Sequence, residues 1–129
     1  MSTVIAIPSV IDPAIQKHPE LVAAIGEAMD FLPTQLGEVG PPIEVSWKFA
    51  DKGGTLIELA MTDFYREERF TVRRNMKTRW LLDSVNRELS VLGVWGAVLA
   101  ERSRRNSIRI NKLMHEMRTE ESDGGEVEH

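Results

Sequence analysis

Ile43, Val45, Trp47 and Phe49 alternate with Glu44, Ser46, Lys48 and Ala50, and after Asp51-Lys52-Gly53-Gly54 the alternation resumes with Ile57, Leu59 and Met61. A period of two puts the apolar residues on one face of a pleated strand, so the segment predicts an antiparallel β-hairpin. A three-residue loop of Asp51, Lys52 and Gly53, with Gly53 in the left-handed region, sets Trp47 opposite Ile57, Val45 opposite Leu59 and Ile43 opposite Met61. A slip of one residue would set Glu58 against Trp47 and bring charge onto the apolar face. Two strands alone are marginal in water, which calls for a third. Phe70 and Val72 alternate with Arg69, Thr71 and Arg73 and predict that strand over 68–73, against a competing reading in which a helix starts near Asp63.

Helical spacing governs the flanks. Pro19 suits a first helical turn, and Leu21, Ile25, Ala28, Met29 and Leu32 then predict a helix over 19–32 that Pro33 ends or redirects. Asp12-Pro13 marks an extra turn over 13–17. Thr3 to Ile7 reads as a short strand stopped by Pro8, and Gly37, Gly40, Pro41 and Pro42 as a loop. From Asn75 onward the pattern is that of a long helix. Leu82, Val85, Leu89, Leu92, Gly96, Leu99, Ser103, Asn106, Ile110, Leu113 and Met117 follow one another in alternating steps of three and four, a heptad register. Gly96, Ser103 and Asn106 weaken its middle, so a break is allowed near Gly93 or near Arg105. Between Ser90 and Ala100 the helix is apolar on nearly every side, which asks for burial against more than one neighbour.

These elements define an α+β fold: an N-terminal helix, an antiparallel hairpin extendable to a three-stranded meander, and a long C-terminal helix or helical hairpin. One domain is expected over 1–118, with a helical arm at 75–118 and a disordered acidic tail at 119–129. A heptad seam of that length exceeds what a short helix and a small sheet can cover. The expected partner is a second copy, with Val85, Leu89, Leu92, Leu99, Ile110, Leu113 and Met117 as the interface and Ser103 and Asn106 helping to set register.

Composition adds limits. The chain has 129 residues, 42% of them hydrophobic, enough for one small core. It has no cysteine, which excludes disulfides and thiolate metal sites and fits a reducing compartment, so a cytoplasmic protein is expected. No basic leader opens the chain, and the uncharged run Ser90 to Ala100 is far shorter than the ~20 residues a spanning helix needs. Charge is segregated. The net −4 divides into −6 for residues 1–65, +7 for 66–118 and −5 for 119–129. A basic segment of this kind attracts acidic proteins or nucleic acid. On a continuous helix Arg102, Arg105, Arg109 and Lys112, with Arg87 farther back, share a face able to neutralise phosphates, although a solvated flank paired with Glu88, Glu101 and Glu116 or with the acidic first half of the chain explains the same residues.

No catalytic, cofactor or metal motif accompanies these features. Asp63-Phe64-Tyr65-Arg66-Glu67-Glu68-Arg69 holds acid and base groups whose geometry nothing in the sequence fixes. His18 stands at a helix start, His115 on the outermost heptad position and His129 at the chain end, without ligand spacing. Gly53-Gly54 belongs to the hairpin, and Gly93 with Gly96 lacks the context of a phosphate loop. Trp47, Trp80 and Trp95 read as core or interface anchors. The reading is a noncatalytic protein-protein interaction or regulatory module that self-associates through its helical arm. The alternative is a nucleic-acid-binding protein using the Arg102 to Lys112 face.

Overall fold

The computed structural model describes residues 7–36, 43–64 and 68–125. The order of elements is β1 (Ser9–Ile11), α1 (Pro13–Gln16), α2 (Pro19–Leu36), β2 (Ile43–Phe49), β3 (Leu56–Asp63), β4 (Phe70–Lys77), α3 (Thr78–Leu81) and α4 (Ser84–Gly125). The sheet is mixed, ordered β1-β2-β3-β4, with β1 parallel to β2 and the other neighbours antiparallel. The α+β class, the N-terminal helix, the meander and the long C-terminal helix all match the periodicities. Two compact units divide the chain, Met1–Val98 and Leu99–His129, and α4 contributes to both.

In the first unit one face of the sheet is apolar. Val45, Trp47, Ile57, Leu59, Met61 and Met76 join Ile15, Leu81, the α2 stripe Leu21, Ala24, Ile25, Ala28 and Leu32, and Val91, Val94, Trp95 and Val98 of α4 in one buried cluster. The opposite face is polar. Glu58 lies 3.6 Å from both Lys48 and Arg73, and the Thr62 and Thr71 hydroxyls meet at 2.9 Å. One covered face and one solvated face is the arrangement an alternating sequence specifies.

The hairpin register differs from the expectation by two residues. Trp47 faces Leu59, Val45 faces Met61, Ile43 faces Asp63 and Phe49 faces Ile57. Asp51 is the cause. Its carboxylate accepts from the backbone N–H groups of Thr55 and Leu56, each at 3.0 Å, and from the Thr55 hydroxyl, which closes a longer connection from Ala50 to Thr55. The same bonds, led by the Thr55 hydroxyl and then the Leu56 amide, hold the Asp51 carboxyl below its ordinary range. Gly54, not Gly53, adopts positive φ, at 71°. A shift of two keeps every side chain on its face, so the alternating pattern is satisfied by either register.

Other boundaries move for local reasons. The strand expected at Thr3 to Ile7 falls largely outside the described residues, and the observed β1 follows Pro8, whose carbonyl accepts from Val45 N–H at 3.0 Å. Asp12 caps α1 by accepting from Ala14 N–H at 3.0 Å. Helix α2 contains Pro33 and runs to Leu36. A proline near a C-terminal end removes only one late bond, and the Thr34 hydroxyl donates to the Phe31 carbonyl at 2.6 Å in that turn. The Gly37 to Pro42 loop lies outside the described residues.

The third strand is β4, which excludes a helix from Asp63 and extends past the expected 68–73 to Lys77. Consequently the helical region begins at Thr78 rather than Asn75. Thr78 ties the end of β4 to the hairpin turn, its N–H donating to the Thr55 carbonyl at 2.9 Å and its hydroxyl to the Gly54 carbonyl at 2.6 Å. The break comes at Leu82 and Asp83, where Asp83 accepts from Asn86 N–H at 3.0 Å and caps α4. Neither Gly93 nor Arg105 interrupts α4, which also takes in residues 119–125 of the acidic stretch. Residues 126–129 lie outside the described ones.

Candidate interaction surface

Helix α4 presents two apolar faces in the first unit. Val91, Val94, Trp95 and Val98 recur at three- and four-residue spacing and are buried. Leu82, Val85 and Leu89, from the heptad seam, are exposed, Val85 at 61% and Leu89 at 59%, and Leu92 is half-buried. Sequence reasoning gave Ser90 to Ala100 apolar residues on nearly every side but did not separate the two faces. The face that meets the sheet is a second stripe, opened by Arg87 and continued by the valines and Trp95.

Arg87 was grouped by sequence with the basic helix face, and the structure removes it from that surface. It is 6% exposed, donates from Nη1 to the Leu81 carbonyl at 2.9 Å and from Nη2 to Glu27 Oε2 at 2.6 Å. It joins α2, the α3 terminus and α4 rather than offering a charge to a ligand.

The second unit contains the rest of the seam. Leu99, Ile110, Leu113 and Met117 are exposed, Met117 at 60%. Its cations are only partly available. Glu101 accepts from Arg104 Nε at 3.0 Å and Nη2, and from Arg105 Nε at 2.9 Å. Of the proposed polyanion face Arg102, Arg105, Arg109 and Lys112, Arg105 is therefore engaged by a carboxylate, while Arg109 and Lys112 are exposed. Pairing of that kind follows the solvated-flank reading for Glu101.

Those hydrogen bonds, from Arg104 first and Arg105 second, lower the Glu101 pKa from an ordinary 4.5 to about 2. A depressed carboxyl stabilises the fold fully above its unfolded value and loses that contribution as pH falls through the folded one. Far-UV circular dichroism should therefore show wild type losing helix signal relative to Glu101→Gln as pH falls from 4.5 to about 2. Parallel titrations of the two proteins would show that the clamp contributes nothing to the helix.

Five described basic residues of the 66–118 segment lie outside α4. Arg69 precedes β4, Arg73, Arg74 and Lys77 lie on that edge strand, and Arg79 is in α3. All five are exposed. Lys77 Nζ stands 5.3 Å from the Trp80 ring centroid, and Trp80 is 37% exposed, so it is a surface aromatic while Trp47 and Trp95 are core residues. The Arg74 guanidinium lies over Gly93, filling the space a Cβ there would take. Lys77 was expected on the helix; the signal of a longer basic edge strand was the lack of any acid from Phe70 to Leu82.

No family model, curated protein or solved structure matches this chain. Its own geometry carries the reading. Asp63 is buried at the end of β3, and Arg69 stacks 4.8 Å from the Phe64 ring centroid; Tyr65, Arg66 and Glu67 lie outside the described residues. His18 is exposed at the start of α2, 3.7 Å from Glu20 and edge-on to Phe49 at 5.9 Å. His115 is exposed, and His129 lies outside the described residues. Among the described residues no group of three His, Asp or Glu side chains is placed to hold a metal ion, and no helix is long and apolar enough to cross a membrane.

Proposed function

We propose that this protein is a noncatalytic interaction module that self-associates through α4. The observation that carries the reading is a row of large apolar side chains, Val85, Leu89, Leu99, Ile110, Leu113 and Met117, each about half exposed or more on the positions of one heptad register. Scattered surface leucines are ordinary, but an exposed row on the positions of one heptad register has the form of a helix-pairing seam. Burying each such side chain against a partner contributes roughly 1.5–3 kcal/mol before the cost of association. The other face of α4 already completes the core of the first unit, so pairing requires no unfolding of that unit.

Light scattering across a concentration series tests this. Wild type should have twice the chain mass, and Leu89→Asp with Leu99→Asp should have the mass of one chain with an unchanged circular dichroism spectrum. The seam residues are outside the core, so the variant should stay folded. Arg105→Glu with Lys112→Glu should leave the assembly intact, because charges away from the apolar seam add little to it. A wild-type monomer at every concentration and salt would overturn the proposal.

A further inference from the structure

We infer that the two copies of α4 pair antiparallel, an orientation that rests on the self-association reading and adds to it. Charge points the same way at both ends of α4. Residues 119–129 hold five carboxylates and no cation, and Glu116 and Glu120 at that end are exposed. At the other end of α4, its first turn follows α3 and the end of β4, where Arg74, Lys77 and Arg79 are exposed. Antiparallel pairing brings each acidic end to a basic end of the second copy, twice by symmetry. Parallel pairing would align the acidic ends with each other and the basic ends likewise.

The positions flanking the seam agree. Glu88, Arg102 and Arg109 share one heptad place, just before a seam residue, with the buried Trp95 at that place between the first two. In a parallel in-register pair these would meet Gly93, Ser107 and Met114 of the second copy, none of them charged. In the antiparallel register that sets Val85 against Ile110, Glu88 comes beside Arg109 of the second copy. The same register sets Gly96 against Leu99 and Leu92 against Ser103, so small residues face large ones. In the parallel alignment Gly96 and Ser103 would each face their own copy and leave thin layers in the middle of the seam.

The chain has no cysteine, so single-cysteine variants report orientation without background. Val85→Cys and Ile110→Cys are mixed in equal amounts and oxidised after exchange. Antiparallel pairing should give predominantly the mixed disulfide. Parallel pairing should give each variant linked to itself, because the two positions are about seven turns apart along α4, beyond disulfide reach. A charge swap reads the same orientation with the seam untouched. Glu88→Arg should raise the dimer dissociation constant several-fold, and adding Arg109→Glu should restore it. Self-linked products from a stable dimer, or no rescue by the swap, would overturn the orientation and leave self-association standing. A chain that never dimerises would overturn both.

Discussion

Arg87→Ala should lower the unfolding free energy by about 3 kcal/mol, read as a lower urea midpoint at unchanged slope. The loss has two sources. The guanidinium is 6% exposed and holds the Leu81 carbonyl and Glu27 at 2.9 and 2.6 Å, so truncation strands a carbonyl where α3 ends. The aliphatic stem is also lost from the start of the buried α4 stripe. Arg87→Met keeps most of the stem and should recover roughly half of the loss. Glu27→Ala should cost only about 1 kcal/mol, because its side chain is largely exposed and the guanidinium retains the carbonyl. Equal losses from Arg87→Ala and Glu27→Ala would mean that the ion pair, not the carbonyl bond and the stem, sets the cost.

Arg87 also illustrates what the sequence made legible. Its position on a helix was readable from periodicity, but its burial was not. Charge and spacing grouped it with Arg102 and Arg105, while only the folded chain brings Glu27, sixty positions earlier, into contact with it. A pattern that is apolar all round specifies that two faces need covering and leaves open which one meets the sheet. The valines at 91, 94 and 98 with Trp95 met it, and the leucines of the seam did not.

Strands were legible where alternation was strict, and their register was not. Alternation fixes a side chain's face, which a shift of two preserves, so the choice fell to the turn. That choice depended on Asp51 reaching forward to Thr55 and Leu56, a local side-chain competition that a count of loop residues does not capture. Likewise β4 read as a strand at Phe70 to Arg73, where apolar and polar residues alternate. Its continuation through Arg74, Asn75, Met76 and Lys77 has only Met76 buried, an edge-strand pattern that resembles a helix start. Misplacing that boundary moved Lys77 from the sheet edge onto an expected helical arm. It thereby hid the contact of Lys77 with the Trp80 ring.

Trp47→Ala should cost about 4 kcal/mol, the largest single loss expected in the first unit. Trp47 is 1% exposed on the central strand β2, faces Leu59, and pairs across the parallel ladder with Ile11. Its backbone carbonyl accepts from Asp12 N–H at 2.9 Å and so also anchors the start of α1. The side chain has a built-in cost, however, because its Nε1–H is buried without an acceptor among the described residues. Trp47→Phe separates the two contributions. It gives up part of the buried ring surface, roughly 1–2 kcal/mol, and removes an unpaired donor whose burial costs about 1–3 kcal/mol. The phenylalanine variant should therefore stay within about 1 kcal/mol of wild type in urea unfolding. A loss approaching that of alanine would show that the indole N–H is satisfied in solution and that Trp47 contributes a polar bond as well as its volume.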